Sequence, residues 1–339
     1  KDSANDAPFT LLLKLTFNEN VPMKKKLLAL ATTLLLPNMS FAAACADGAN
    51  AAGCTIDTSA ITYTLTGDIA PASTVTGIQF NTDADDNTIN LTGDISTTGL
   101  VGHALYFFRA DDNTLNLTGD ISTTGGDSAM GLFFFQGNSN TINHIGNIST
   151  TANTGHGLYF LTSNLNETTL TGNISTTAIG AHGVYLISTS NDNVITITGN
   201  ISTTGNSSHG LLFDNDSDSN TVNLTGSLSA TGAGSYAIYA NSTSDNNTVN
   251  LTLNQGDRLI GDIVNDGSGN TLNLTLNDYG RASSYSYTSS GSTELDWNVT
   301  DNSPRPFIIG SAKSRGVADM DDAGNRLYQR LSQINSSLT

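Results

Sequence analysis

The sequence predicts an all-β chain: a right-handed parallel β-helix of about eight coils of 26–27 residues, followed by a short C-terminal amphipathic helix. Three observations predict it. A motif reading T-[I/L]-N-L-T-G-[D/N]-I-S-T-T-G recurs from Thr88, Thr114, Thr141, Thr221 and Thr248, with more divergent copies from Glu167, Val194 and Thr271. The asparagine before each copy falls at Asn87, Asn113, Asn140, Asn166, Asn193, Asn220, Asn247 and Asn270, at steps of 26, 27, 26, 27, 27, 27 and 23 residues. A period of that length belongs to a solenoid rather than to a compact enzyme fold. Within each copy apolar residues alternate at strand spacing, and a glycine follows where the chain must bend.

In chain order, residues 1–22 read as material upstream of the native start. Met23 opens a secretory signal peptide over 23–44: the basic Lys24-Lys25-Lys26, an apolar run Leu27–Leu36, then small residues to Ala44. The apolar run is too short to span a membrane. Residues 45–60 form an N-terminal cap holding Cys45 and Cys54, which in an oxidising compartment could close a small disulfide loop. The alternative is lipidation of Cys45 after Ala42-Ala43-Ala44, although the leucine usual in such a signal is missing. The β-helix occupies 61–280, an aromatic cap and linker 281–310, and a helical linker 311–339.

Aligned copies resolve one coil. Ile89, Leu115, Ile142, Thr168, Ile195, Val222, Val249 and Leu272 share a column; Leu91, Leu117, His144, Leu170, Ile197, Leu224, Leu251 and Leu274 share another, two residues on. That spacing sends both side chains to one face of a strand. Glycine follows at Gly93, Gly119, Gly146, Gly172, Gly199 and Gly226, and Ile95 with its equivalents then starts a second strand. After a variable loop comes a third, as in Leu105-Tyr106-Phe107 and Leu132-Phe133-Phe134. About five inward side chains at ~1.5–3 kcal/mol each cannot offset roughly 1–2 kcal/mol of backbone entropy per ordered residue, so coils must stack. Eight coils at about 4.8 Å make a rod roughly 40 Å long. The Asn column suits left-handed turn geometry, and stacked amides can bond along the rod. His144 and Thr168 break the apolar columns as imperfections of the repeat.

Charge narrows the function. The chain carries 13 Lys and Arg against 30 Asp and Glu, a formal charge of −17, and between Ala43 and Thr300 its basic residues are Arg109, Arg258 and Arg281. So few cations cannot neutralise phosphates, which excludes nucleic acid as a partner and disfavours anionic lipid. No cofactor is expected.

Several chemical motifs dissolve into the repeat. Asn81-Thr82-Asp83, Asp85-Asp86 or Asp111-Asp112, and Gly155-His156-Gly157 are similar to the signatures of polygalacturonases, but the Arg-x-Lys clamp of that family is missing. His156 shares a column with His103, His182 and His209; one imidazole per coil could share a metal ion, but no acidic or Cys ligand recurs beside it. The Asp pairs sit in the turn before each Asn, where Asp caps backbone. Asp83-Ala84-Asp85-Asp86 and Asp214-Asn215-Asp216-Ser217-Asp218 lack calcium-loop spacing. Gly126-Asp127-Ser128 lacks the glycine of a serine-protease nucleophile. Ser96-Thr97-Thr98 and its copies should turn Ser96 and Thr98 to solvent as a hydroxyl ladder, a pattern also found in ice-binding solenoids.

After Leu276 the repeat stops; Tyr279, Tyr285, Tyr287 and Trp297 suit a cap, and Val317, Met320, Leu327, Leu331 and Ile334 fit one helical face. Signal peptide, coils reading H-G-L-Y-F and N-T-I-N-L-T-G-N-I-S-T-T, aromatic cap and helix together resemble the passenger region of an autotransporter of Gram-negative bacteria. The resemblance implies export through the periplasm to the outer membrane and cell surface, and a C-terminal membrane β-barrel beyond Thr339. It implies a non-catalytic adhesin, aggregation or surface-coat protein meeting glycan or protein on host or bacterial surfaces, or itself. The outward Ser/Thr ladder and the Tyr106, Phe133, Tyr159 and Tyr185 column are the candidate contact surfaces. A polysaccharide-active β-helix enzyme and a structural envelope protein are the alternatives.

Overall fold

In the computed structural model of the chain the described residues are 43–48, 51–71, 76–99, 101–277, 287–288 and 296–301. The upstream segment, the signal peptide before Ala43, Tyr279, Tyr285, the Trp297 side chain and the C-terminal helix lie outside them. Among the described residues every strand pairs in parallel, in sheets of 11, 10 and 7 strands whose neighbours come from successive coils. One coil runs from Thr88–Thr92 in the 10-stranded sheet, through Ile95–Thr97 in the 7-stranded sheet, to Leu105–Phe108 in the 11-stranded sheet; the next begins at Thr114–Thr118. Parallel strands joined by such crossovers wind right-handed. The fold is the parallel β-helix that the period predicts.

Register keeps the columns intact apart from one shift, between Tyr236 and Ile238 where that strand pairs with Asp262–Asn265. Ile89 pairs with Leu115, Leu115 with Ile142, Ile142 with Thr168 and Thr168 with Ile195. In the first full coil Ile89, Leu91, Ile95, Leu105 and Phe107 turn inward and are buried. Phe80, Phe107, Phe134 and Phe160 stack as a ring column along the core, with centroids 4.2, 4.8 and 4.6 Å apart. Stacking nearly parallel rings at this spacing adds to the burial of each.

Two backbone features make the coil possible. At the first bend Gly93, Gly119, Gly146, Gly172, Gly199 and Gly226 all have φ between 138° and 154°. A methyl group on any of them would collide with the carbonyl oxygen of the glycine one coil below, so the column is limited to glycine by packing as well as by φ. At the turn before the 10-stranded sheet the left-handed residue is not the column asparagine. It is the preceding residue: Asp86 (57°), Asp112 (56°), Ser139 (54°), Leu165 (58°), Asp192 (57°), Ser219 (58°) and Asn246 (57°). The sequence assigned that geometry one position too late, because the asparagine is held by its amide bonds and not by turn propensity.

The two interruptions of the apolar columns point inward and carry unmet polar atoms. His144 and Thr168 are buried, and His144 Nδ1 and Thr168 Oγ1 have no hydrogen-bond partner. Buried unpaired polar atoms cost about 1–3 kcal/mol each. His144→Leu restores the residue of its column and removes the unpaired Nδ1 but also loses the 2.8 Å bond from Nε2 to Gly119 O, so it is expected to raise stability by about 1 kcal/mol. Phe134→Ala, which opens a hole in the ring column, should lower it by about 3–5 kcal/mol. Urea unfolding of both variants checks the pair; equal midpoints would contradict the core described here.

Candidate functional site

The outward side chains of the three sheets define what the rod can touch. Most of the polar ones are already engaged. The column asparagines are buried, and each binds the next coil: the Asn113 N–H donates to Asn140 Oδ1 at 3.0 Å and its Nδ2 donates to the same oxygen at 3.1 Å. The same pair of bonds recurs from Asn140 to Asn166, Asn166 to Asn193, Asn193 to Asn220 and Asn220 to Asn247. Each Nδ2 also reaches a turn carbonyl, such as Ala110 O from Asn140 at 2.9 Å. This ladder satisfies, without charge, polar groups that burial would otherwise strand.

The carboxylates that suggest glycan cleavage do similar work outside. Asp85 Oδ1 accepts the Asp111 N–H at 2.7 Å, Asp111 Oδ1 accepts that of Asn138 at 2.6 Å, and Asn138 Oδ1 that of Asn164 at 2.9 Å. Asp83, Asp86 and Asp112 occupy left-handed turn positions. In the second acidic turn Asp214 accepts from the Tyr185 hydroxyl at 3.2 Å and from the Asn241 amide, and Asp218 Oδ1 accepts the Asp245 N–H at 2.7 Å. Among the described residues no three His, Cys, Asp or Glu side chains are grouped to hold a metal ion.

The histidine column precedes the 11-stranded sheet. His156, His182 and His209 stack with ring centroids 4.9 Å apart, and Tyr236 continues the stack at 5.0 Å. Their Nδ1 atoms accept backbone N–H groups of the next coil: His182 N–H onto His156 at 3.0 Å, His209 onto His182 at 2.9 Å, Tyr236 onto His209 at 3.0 Å. That bond places the proton of the neutral ring on Nε2. Burial holds the imidazoles neutral, lowering His103 and His209 to about 4, His156 to about 3 and His182, flanked by two others, to about 2. His156 is thus a member of a closed stack.

At the N-terminus Cys45 and Cys54 are disulfide-bonded with Cα atoms 4.8 Å apart, and Ala43–Ala44 pairs with Cys54–Ile56 at the edge of the 11-stranded sheet.

Beside the histidines lies the distinctive outer surface of the rod. In Leu105–Phe108, Leu132–Phe135 and Leu158–Leu161 the first and third residues enter the core, so the second and fourth face outward. Tyr106, Phe133, Tyr159 and Tyr185 stack at 4.9, 4.8 and 5.2 Å, and Phe108 stacks on Phe135 at 5.6 Å. The half-buried Leu161 and Ile187 extend the strip, and Leu212, in register with Tyr185, is buried. Because the rings lie within 20° of parallel, their faces cover one another and the strip presents ring edges and phenol hydroxyls. Its polar margins are Arg109, whose guanidinium sits 5.3 Å from the Phe108 ring, and Asp214. Burial pushes the Tyr159 hydroxyl up to about 12, so these phenols stay protonated hydrogen-bond donors.

The hydroxyl ladder is divided. Ser96 is half-buried and Thr98 exposed, but the middle threonines Thr97, Thr123, Thr150, Thr176 and Thr203 are fully buried. Their hydroxyls donate to loop carbonyls, as Thr123 does to Ala129 O at 3.0 Å and Thr203 to Ser208 O at 2.8 Å. They pin the variable loop to the strand before it. The middle Thr of Ser-Thr-Thr, repeated in five successive coils and replaced by Ala230 in the sixth, is the sequence signal for this role.

The histidines set a pH dependence. Their folded pKa values lie below the unfolded 6.5, so the fold gains nothing from them above that value and loses stability as pH falls through it. Each contributes up to about 1.4 kcal/mol per pH unit over that descent. Denaturant midpoints measured from about pH 7.5 down to about pH 5 should fall steeply, and more shallowly in His182→Gln. Parallel curves for the two proteins would refute this account.

Compared with known proteins, the chain matches no family model, no curated protein and no solved structure.

Proposed function

We propose that this chain is the exported, surface-displayed rod of an autotransporter-like protein, acting without catalysis in adhesion or self-association through the outer strip of its 11-stranded sheet. The strip is the observation that carries the reading. The half-buried Phe133, Tyr159 and Tyr185 with Phe108 and Phe135, and the nearly buried Tyr106, form a continuous stacked aromatic strip on the outer side of the sheet. Apolar surface of this kind on a polar rod is suited to contact with another macromolecule. Ring edges with hydroxyl tips favour a protein surface over a sugar, since stacking on sugars uses ring faces. Further support comes from the signal-peptide features at 23–44 and from a solenoid in which Asp85, Asp111, His156 and His182 bond the backbone of the neighbouring coil.

The test uses cells displaying the full chain. Phe133→Ser and Tyr159→Ser together should reduce cell adhesion and clumping at least tenfold, with far-UV circular dichroism unchanged. Thr124→Ala with Thr151→Ala, on the 7-stranded sheet, should change neither. Adhesion that survives the first pair, or is lost with the second, rules out the strip as the contact surface.

A further inference from the structure

The 10-stranded sheet and the bend after it carry a pattern that neither packing nor the ladders require. Two outward positions in each coil can hold asparagine two residues before a hydroxyl. On the strand, Asn90, Asn116, Asn223, Asn250 and Asn273 precede Thr92, Thr118, Thr225, Thr252 and Thr275. At the bend, Asn147, Asn173 and Asn200 precede Ser149, Ser175 and Ser202. From the coil that starts at Asn87 to the one that starts at Asn270, these positions supply one Asn-x-Ser/Thr per coil and never two.

The exclusion is sharpest in the coil of Asn140. Its strand position is still an asparagine, Asn143, but Ile145 stands where a threonine would complete the triplet, and Asn147 supplies the triplet instead. Ile145 is 58% exposed, so burial does not explain it. In the next two coils the strand position is Thr169 and Thr196, and again the bend supplies the triplet. Where the strand supplies it, the bend holds Asp94, Asp120 or Ser227, or an asparagine with no hydroxyl two residues on, Asn254 before Gly256 and Asn277 before Tyr279.

Structure tolerates either residue at both positions. Asp94 Oδ1 accepts the Asp120 N–H at 2.7 Å just as Asn147 Oδ1 accepts that of Asn173 at 3.0 Å. On the strand Asn116 donates to Asn90 Oδ1 at 2.9 Å, and Asn223 donates equally to Thr196 Oγ1 at 3.2 Å. The ladders do not decide which coil uses Asn at which place.

We propose that these eight asparagines are N-glycosylation sites, giving the rod one N-linked saccharide per coil along the 10-stranded sheet and its bend. Asn-x-Ser/Thr is the acceptor triplet of N-glycosyl transfer, and the three bend amides Asn147, Asn173 and Asn200 are exposed. The donor is a sugar activated as a phosphate ester. As the amide nitrogen bonds to the anomeric carbon, the bond from that carbon to the phosphate oxygen breaks, the phosphate leaves with the electron pair, and one amide proton passes to the transferase. The modified nitrogen keeps one N–H, sufficient for ladder bonds such as Asn173 Nδ2 to Asn147 Oδ1 at 3.0 Å. No described strand of the 11-stranded sheet contains the triplet, so the aromatic strip stays uncovered. The assignment does not depend on the adhesive reading.

Peptide mass spectrometry of the chain purified from the cells that naturally make it tests this. Saccharide is expected on most of the eight asparagines, and none on Asn143 or on the buried Asn166, although Asn166-Glu167-Thr168 is also a triplet. A single monosaccharide per site identifies a nucleotide-sugar donor, and a uniform oligosaccharide a lipid-linked one. Bare amides at most of the eight overturn the proposal, as does carbohydrate confined to the loop triplets at Asn206, Asn215, Asn241 and Asn246. In the same cells Ile145→Thr combined with Asn147→Asp should move the saccharide of that coil to Asn143 with circular dichroism unchanged. An unmodified Asn143 in that variant would also overturn it.

Discussion

Everything in this rod depends on each residue lying over its equivalent one coil away. A single coil of some 27 residues has no sheet of its own, since its backbone bonds run to the coils above and below. It therefore cannot fold alone, and stability belongs to the stack. Strict register turns any residue type repeated in the sequence into a column: phenylalanine into a ring stack, asparagine into an amide ladder, glycine into a seam where carbonyls pass too closely for a side chain. A one-residue slip would turn the inward set outward, so alternation and register enforce each other.

The columns also account for several of the residues whose pattern is similar to catalytic signatures. A general acid, base or ligand needs a free lone pair or proton aimed at a substrate. Here Asp111 is aimed at a backbone N–H of the next coil, and His156 spends Nδ1 in the same way inside a stack. The strongly lowered histidine pKa values, which in a cleft would mark a functional site, here record desolvation within the stack. Among the described residues His144, Thr168 and Ser244 depart from this order, each leaving one buried polar atom unpaired.

The three outer faces differ in kind. The 10-stranded sheet presents amides and hydroxyls, the 7-stranded sheet serines and threonines, and the 11-stranded sheet rings and aliphatic chains. Carboxylates gather at the turns between them, which keeps a chain of formal charge −17 from placing like charges opposite each other on the flat faces. A rod with one aromatic face and two neutral polar ones is polarised around its axis.

Much of this was legible in sequence because the solenoid maps period directly onto geometry. The spacing of Asn87, Asn113 and Asn140 announced the coil; the alternation of Ile89 and Leu91 announced the inward face; Gly93 and its copies announced the bend. The sequence by itself determined the strands, their order and the columns, because local periodicity dictates which side chains share a face. Only the tertiary structure decided what each column does. That the residue before Asn87 takes the left-handed turn, that histidine rings close on one another and that Tyr106 offers an edge rather than a face all depend on atoms about 26 residues away. Those partners meet only when coils stack, and no window along one coil contains both halves of the contact.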